Sequence, residues 1–333
     1  MTFDTCLADF LSENRIGTET WRKANVSWDL LTAIAQEHLS RQVELRQTAE
    51  MCARILQGLP KVHSVRWRVK DVDHLVEKII RKRAEGGANN KYLEIEVRNY
   101  HEIVTDLVGL RALHLFKDDC FDIDAALRES FRLLPNEDPI AYVREGDAKD
   151  LQERFTKAGL IVEPHRAGYR SVHYVVATRP LQRETAAEVQ VRTIFEEGWS
   201  EIDHQIRYPN LSDDHQVAFF LSILNGHAGS ADEMGTFLLR LVASIDLNQQ
   251  QLTEANAKYE EVSIKLDATV AELAEAAASN AESEGLVKQL KLELDQLRAV
   301  TNKPRSGMTP EQRRQFLRFG FSYSGLPILA AKA

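Results

Sequence analysis

Residues 168–208 decide the fold and read GYRSVHYVVATRPLQRETAAEVQVRTIFEEGWSEIDHQIRY. Two runs in this stretch, 171–178 and 186–193, are rich in valine and alternate in polarity, which predicts two β-strands. Residues 194–208 have helical spacing. Two strands in succession followed by a helix lack the regular strand–helix alternation of a doubly wound sheet.

The segments upstream of this stretch alternate between strand and helix patterns. We predict strands at 63–71 and 108–116, helices at 73–85 and 121–134, and a loop with one short helix at 134–160. Together with the strands above, this order indicates an α+β fold in which a mixed β-sheet is flanked by helices.

Four regions follow from these patterns. Residues 1–60 form a helical N-terminal segment, with one helix from Trp28 to Leu59. The α+β domain spans 61–210, a helical heptad-repeat region spans 211–300, and a basic helix with an apolar tail spans 301–333. Apolar residues recur every seven positions at Leu238, Ile245, Leu252, Tyr259, Leu266 and Leu273. This spacing is typical of a coiled coil, within the chain or with a second chain.

Bulk composition narrows the class of protein. The net charge of −8 argues against a protein that coats nucleic acid, so any polyanion site is a local basic patch. The three cysteines include no CxxC pair, which argues against a zinc site or a disulfide framework. The acidic N-terminus does not read as a signal peptide, and no apolar run has the length of a membrane span. We therefore expect a cytoplasmic protein without a membrane partner.

A basic cluster occupies the strand and the helix after residue 62. Arg66, Arg68 and Lys70 alternate along the strand and therefore share one face. The next helix carries Lys78 and Arg81 three residues apart, close to Lys82 and Arg83. Such a strand–helix pair suits a polyphosphate, although a solvated basic face would have the same pattern.

Three further motifs carry polar groups. Asp106 precedes an apolar strand, where an acid suits either a magnesium ligand or a cap. Gly168 and Tyr169 offer a turn and a flat ring, which suits either nucleobase stacking or core packing. Strand alternation places Glu188, Gln190 and Arg192 on one face. Each motif alone is weak evidence for a site.

Taken in order, these motifs resemble the synthetase domain of the RelA/SpoT family over residues 65–208, nearly half of the chain. The family pattern is R-x-K with a later lysine, D-x-x-G-x-R, G-Y-x-S-x-H, and E-x-Q-x-R-T before a helix with a histidine and a tyrosine. The matching residues are Arg68, Lys70, Lys78, Asp106, Gly109, Arg111, Gly168, Tyr169, Ser171, His173, Glu188, Gln190, Arg192, Thr193, His204 and Tyr208.

The resemblance implies a nucleotidyltransferase-like fold and an ATP-dependent pyrophosphokinase. Such an enzyme moves the β,γ-pyrophosphate of ATP to the 3′-hydroxyl of GDP or GTP, which makes (p)ppGpp and releases AMP. By analogy, Glu188, Asp106, Arg68 and Lys70 are catalytic, with Mg²⁺ on Asp106 and Glu188. ATP would be bound by Arg68, Lys70, Lys78, Arg81 and Arg111, and the acceptor by Tyr169, His173, Gln190, Arg192 and Arg166.

Two departures from the family pattern concern the acceptor. His74 and His165 stand where the family often has a serine and a lysine. These departures leave the identity of the acceptor open. One alternative, motivated by the basic run 78–83, by His165 and Arg166 and by the long C-terminal region, is a toxin-like relative that pyrophosphorylates the 3′ end of tRNA or an adenine nucleotide. Another is an inactive nucleotide-sensing scaffold. We expect a synthetase without the hydrolase half of long family members. The heptad region would serve a homo-oligomer or a regulatory partner.

Overall fold

The computed structural model describes residues 6–87, 90–144, 147, 149–165, 167–179, 183–206, 214–277 and 281–301. The chain divides into two compact units, Met1–Ala243 and Ser244–Ala333. No described helix is both long enough and apolar enough to cross a membrane.

The described elements follow one another along the chain in a mixed order. The helices are α1 (Leu7–Glu13), α2 (Thr18–Ala24), α3 (Trp28–Ser40), α4 (Gln42–Gln57), α5 (Val72–Glu85), α6 (Tyr100–Ile103), α7 (Asp119–Ser130), α8 (Lys149–Lys157), α9 (Ile194–Ile206), α10 (His215–Ala277) and α11 (Ala281–Thr301), with a 3₁₀ helix at Lys91–Glu94. The strands are β1 (Ser64–Val69), β2 (Val108–His114), β3 (Arg132–Leu133), β4 (Ile140–Val143), β5 (Ile161–Pro164), β6 (Ser171–Thr178) and β7 (Thr185–Thr193).

One seven-stranded sheet organises the first unit. Its order is β1-β2-β7-β6-β4-β5, and β3 pairs with β6. The pairs β2–β7 and β4–β5 are parallel, whereas β1–β2, β6–β7, β4–β6 and β3–β6 are antiparallel. This arrangement confirms the predicted mixed sheet flanked by helices.

The strand register lines up the polar motifs across the sheet. Arg66 pairs with Arg111, Arg111 with Gln190, and Gln190 with His173. The neighbouring row brings Arg68 beside Gly109 and Gly109 beside Glu188. Residues between these rows, such as Leu110, Val189 and Tyr174, are fully buried. One face of the central strands therefore presents polar groups while the other builds the core.

Arg83 joins the N-terminal helices to the sheet domain. Its guanidinium donates to the carbonyl oxygens of Ala24, Asn25, Tyr92 and Leu93, each at 2.8 Å. Burial lowers the pKa of Arg83, but four carbonyl acceptors hold the charge in place. This member of the basic cluster therefore supports the fold and does not face a ligand.

Two predictions differ from the structure, and the strands β4 and β5 were not predicted. The helix predicted from Trp28 to Leu59 is two helices, because the helical conformation is interrupted at Arg41, which caps both α3 and α4. The region 134–160, predicted as a loop with one short helix, also contains β4. β4 was missed because it has only four residues, IAYV, within a polar surrounding. β5 was missed because it is largely exposed and ends in a proline.

The first unit extends beyond the predicted boundary at 210 and ends at Ala243. The reason is that the first half of α10 buries polar side chains against the sheet domain. Asn225, Asp232 and Thr236 are each less than 9% exposed. Asp232 accepts a hydrogen bond from Thr193 at the end of β7, with an Oγ1–Oδ2 distance of 2.9 Å.

In the second unit, α11 contacts the later part of α10. Arg298 forms an ion pair with Asp267 at 2.8 Å and donates to the hydroxyl of Ser263 at 2.7 Å. The leucines of the heptad row, among them Leu252 and Leu273, remain about half exposed. Pairing of this row with a second chain stays a prediction, and the predicted basic helix and tail at 302–333 lie outside the described residues.

Candidate active site

A cleft opens on the polar face of the sheet where β1, β2 and β7 meet. It is lined by Arg66, Trp67, Arg68, Asp106, Gly109, Leu110, Arg111, Glu188 and Gln190. Seven of these nine residues belong to the motifs identified in the sequence. Three arginines and two carboxylates from separate segments thus share one concave surface, as expected of a site for a charged ligand.

Lys70 and Lys78 converge on one carboxylate. Each ammonium nitrogen lies 2.8 Å from Oδ2 of Asp106, and all three side chains are less than one-fifth exposed. Burial alone would raise the pKa of Asp106, but the charges of Lys78 and Lys70 outweigh it and hold that pKa below its ordinary value. Two buried cations share one carboxylate, so the cluster carries excess positive charge suited to a polyphosphate.

Glu188 is held through both of its carboxylate oxygens. His173 Nδ1 lies 3.2 Å from Oε1, and the side-chain amide of Gln190 donates to Oε2 at 3.2 Å. Burial raises the pKa of Glu188, but the hydrogen bond and charge of His173 bring it below its ordinary value. Ser171 extends this chain, with its Oγ 2.8 Å from His173 Nε2. Glu188 is therefore an oriented carboxylate in the ionised form.

Arg192 lies beneath this carboxylate and fixes Gln190. Its guanidinium donates to the side-chain oxygen of Gln190 and to Ser200 Oγ, the latter at 2.7 Å, and lies 3.5 Å from Glu197. Arg192 is only 7% exposed, and burial lowers its pKa. Direct contact of Arg192 with an acceptor, as the resemblance implies, stays a prediction, whereas its contact with Gln190 is present.

Two carboxylates on α9 hold the arginines at the far side of the cleft. Glu197 Oε1 accepts from both Arg66 and Arg111 at 2.9 Å. Glu201 also bonds Arg111 and lies 3.4 Å from Arg66. The negative charges raise the pKa of Arg111 against the effect of burial. Neither glutamate was identified from the sequence, since only the packing of α9 on the sheet pairs them with these arginines.

Two predicted ATP ligands differ in their placement. Arg68 lines the cleft beside Gly109. Arg81, by contrast, lies on the exposed side of α5, where its guanidinium nitrogen Nε is 3.8 Å from Glu77. The structure therefore brings Arg68 together with Asp106 and Glu188 but leaves Arg81 outside the cleft lining.

Tyr169 lies in an aromatic group at the start of β6. Its ring centroid is 4.7 Å from that of His165 and 4.6 Å from that of Trp199. Its hydroxyl donates to Asp203 Oδ2 at 2.5 Å, and burial together with this carboxylate raises the pKa of Tyr169. The Tyr169 ring thus contacts two other rings, and its hydroxyl stays protonated.

Tyr142 on β4 was not identified from the sequence. Its ring meets the rings of His173 and His165 edge-on at 4.8 Å and 5.2 Å. It thereby connects the aromatic group of Tyr169 to the residue that contacts Glu188. The only sequence signal was a single aromatic residue in a short run. Two predicted site residues, Arg166 and Tyr208, lie outside the described residues.

The fold and the cleft define an α+β domain whose sheet carries a cleft lined by arginines and carboxylates. Residues 67–213 match the family described as the region found in RelA / SpoT proteins. The matched residues cover less than half of the chain and contain the motifs on which the resemblance rests.

One curated relative is similar over part of its length. The GTP pyrophosphokinase YwaC of Bacillus subtilis (strain 168) is 25% identical over 159 residues, which are 46% of this chain and 62% of the relative. The chain thus spans less than two thirds of that protein.

Solved structures of similar proteins also match. The small alarmone synthetase 1 from Bacillus subtilis bound to its product pppGpp matches with a TM-score of 0.44 and 24% identity over 60% of this chain and 95% of that one. A GTP pyrophosphokinase family protein from Streptococcus pneumoniae matches with a TM-score of 0.36 and 23% identity over 62% and 89%.

Proposed function

We propose that this chain is an ATP-dependent pyrophosphokinase that transfers the β,γ-pyrophosphate of ATP to the 3′-hydroxyl of GDP or GTP. The products are AMP and (p)ppGpp. The observation that carries the proposal is the arrangement of one cleft within a RelA/SpoT region: two buried lysines on Asp106 and, beside them, the oriented carboxylate of Glu188.

The donor is proposed to bind on the β1–β2 side. Lys70 and Lys78 would turn from Asp106 toward the β- and γ-phosphates of ATP, and Arg81 would reach the outer phosphate from α5. Arg68 and Arg111 would hold the adenine between their guanidinium planes, since guanidinium groups stack on flat rings. Glu197 and Glu201 support this role because they fix the guanidinium of Arg111.

Asp106 and Glu188 are proposed to hold Mg²⁺ together with the phosphates of ATP. Both line the cleft, and Asp106 Oδ1 is buried without a hydrogen-bond partner among the described residues. Mg²⁺ is commonly held by one or two carboxylates and substrate phosphates, so the donor set fits. When bound, the ion neutralises negative charge on the transferred group.

The chemical step is proposed to use Glu188 as the proton acceptor. The acceptor 3′-oxygen attacks the β-phosphorus of ATP, and the bond from that phosphorus to the α–β bridging oxygen breaks, which releases AMP. The 3′-hydroxyl proton passes to Glu188. His173 and Gln190 orient the carboxylate for this transfer, while Lys70 and Lys78 neutralise charge on the pyrophosphate.

Tyr169 is proposed to stack on the acceptor base, with His173, Gln190, Arg192 and Arg166 on the acceptor side. The alternative of transfer to tRNA rests on the basic run 78–83, on His165 and Arg166, and on the long C-terminal region. Within that run, Arg81 pairs with Glu77, Lys82 pairs with Glu85, and Arg83 bonds four carbonyls. These partners favour a guanine nucleotide over tRNA as the acceptor.

The heptad row of α10 is proposed to pair with a second copy of the chain. Its support is a row of leucines that stays exposed at seven-residue spacing, including Leu252, Leu266 and Leu273. Light scattering coupled to size exclusion would give twice the chain mass if the proposal holds. A single chain mass at all concentrations would contradict it.

The proposed reaction is tested by offering the protein several acceptors and identifying the products. Purified protein is incubated with ATP and Mg²⁺ together with GDP, GTP, further ATP or bulk tRNA, and products are identified by mass spectrometry. We expect AMP with a guanosine tetra- or pentaphosphate. Labelled pyrophosphate on tRNA alone would favour the toxin-like alternative, and nucleotide binding without AMP from any mixture would favour the inactive scaffold.

A further inference from the structure

The first half of α10 lies against the loop that carries Tyr169. Asn225, 8% exposed, donates from Nδ2 to the carbonyl oxygen of Gly168 at 3.3 Å. Arg144 donates to the same carbonyl at 3.3 Å and to both the main-chain and the side-chain oxygen of Asn225. The residue before Tyr169 is thus bound to α10 directly and through Arg144.

Gly168 is suited to this contact in two ways. Its φ of +75° lies in the left-handed region that glycine adopts without strain. A Cβ at this position would lie 2.8 Å from Asn225 Nδ2, closer than side-chain carbons approach other atoms. The loop conformation and the position of Asn225 are therefore matched to each other.

Arg170, the residue after Tyr169, packs against Gly229 of α10. A Cβ at Gly229 would lie 2.7 Å from Arg170 Nη1 and 2.9 Å from Arg144 Nη1. Both guanidinium groups therefore pack directly on the helix main chain. At Gly226, one turn earlier, a Cβ would meet no atom within 4 Å.

Two acids beneath the loop hold these arginines in place. Glu196 is 2% exposed and lies 3.1 Å from Arg144 and 3.5 Å from Arg170. Asp147 accepts from Arg170 Nε at 2.9 Å. Glu196 and Asp147 bind the two guanidinium groups on one side. A side chain added at Gly229 can therefore move Arg144 and Arg170 only by breaking these ion pairs.

We propose that Asn225 and Gly229 of α10 are positioning residues that hold the Gly168–Arg170 loop so that Tyr169 meets the acceptor base. The inference rests on the proposed function for the identity of the ligand of Tyr169. Both residues lie beyond 213, where the match to the RelA/SpoT region ends. The helix that follows the family region is therefore part of the acceptor site of this chain.

A glycine pair on one helix provides the test. Gly229→Ala and Gly226→Ala add the same methyl group, and alanine is otherwise favoured over glycine inside a helix. We expect Gly229→Ala to raise the KM for GDP or GTP about tenfold and to leave the KM for ATP nearly unchanged. Gly226→Ala should leave both values unchanged.

A second variant and a second readout do not depend on Gly229 alone. Asn225→Ala removes the hydrogen bond to Gly168 and should raise the acceptor KM in the same direction. Hydrogen exchange should become faster at residues 167–172 in Asn225→Ala and Gly229→Ala, and stay unchanged at 185–193. Circular dichroism melts verify that each variant is folded.

The outcomes separate this inference from the proposed function. If the wild type forms no AMP with any acceptor, the proposed function fails, while hydrogen exchange still reports whether α10 holds the loop. If the wild type is active but both variants keep the acceptor KM and the exchange rates of the wild type, the positioning role is wrong. Equal increases in the KM for ATP and for the acceptor would also overturn it.

Discussion

The Nδ1 atom of His173 lies 3.2 Å from Oε1 of Glu188. Burial and the charge of Asp106 raise the pKa of Glu188, whereas the contact with His173 lowers it, and the net pKa lies below the ordinary value. The carboxylate proposed to accept the 3′-hydroxyl proton therefore depends on its neighbour to remain ionised toward acidic pH.

Replacing His173 is expected to move the acidic limb of the rate profile. In His173→Ala the hydrogen bond and the charge that lower the pKa of Glu188 are lost, so that pKa rises and the carboxylate is protonated at a higher pH. The acidic limb of the profile of kcat/KM against pH, measured from pH 4 to 9, should shift to higher pH. His227→Ala, at an exposed site, is the control. An unshifted limb in His173→Ala would argue against the coupling.

Lys78 and Lys82, one turn apart on α5, should behave differently toward ATP. Lys78 contacts the buried carboxylate of Asp106, whereas Lys82 pairs with Glu85 at the surface. Loss of one charged donor from a buried site commonly costs about 100-fold in rate. We expect Lys78→Ala to lower kcat/KM for ATP by about that factor, and Lys82→Ala to leave it nearly unchanged in steady-state AMP release. Equal effects would place the phosphates elsewhere.

Arg83 is expected to matter for stability and not for catalysis. Arg83→Ala leaves four carbonyl oxygens without their charged donor. The free energy of unfolding should fall by about 3 kcal/mol, measured by urea denaturation. At a low temperature, at which Arg83→Ala is folded, its rate of AMP release should equal that of the wild type. Loss of ATP binding in folded Arg83→Ala would show that the residue also reaches the ligand.

Asp232 gives the first unit a pH-dependent stability. Burial, with a smaller effect of the Glu196 charge, raises the pKa of Asp232, whereas Thr193, Lys117 and Arg170 lower it. The net pKa of Asp232 is about 7. Because the folded-state pKa lies above the unfolded value, the native state binds the extra proton, and stability falls as pH rises toward 7.

Asp232→Asn removes this penalty while it keeps an oxygen acceptor for Thr193. The gain in unfolding free energy should be roughly 2 kcal/mol larger at pH 8 than at pH 5. Thermal melts at the two pH values measure the difference. A gain that does not change with pH would mean that Asp232 is already ionised in the native state.

The sequence predicted the motif residues of the cleft because each motif is local. Alternation along β7 placed Glu188 and Gln190 on one face, and the structure joins them by a hydrogen bond. Arg83 shows the limit of such reasoning. In sequence it resembles Lys82, and only the carbonyls of α2 and of the 3₁₀ helix, distant along the chain, assign it to the fold.

The residues that were missed depend on packing between distant segments. Glu197 lies in a segment for which the sequence predicted only a helix, and its role emerges because α9 brings it to Arg66 and Arg111. Asn225 belonged to a region predicted to be separate from the domain, although it bonds the loop before Tyr169. Neither pairing leaves a periodic or spacing signal, so one sequence could not reveal it.

The central claim is pyrophosphate transfer that depends on Glu188, and product stoichiometry tests it most directly. Wild-type protein and Glu188→Gln are incubated with ATP, Mg²⁺ and GDP, and AMP and guanosine tetraphosphate are quantified by mass spectrometry. We predict equal amounts of the two products from the wild type, and loss of both from Glu188→Gln, which should still bind ATP. Absence of AMP from the wild type, or undiminished transfer by Glu188→Gln, would contradict the account.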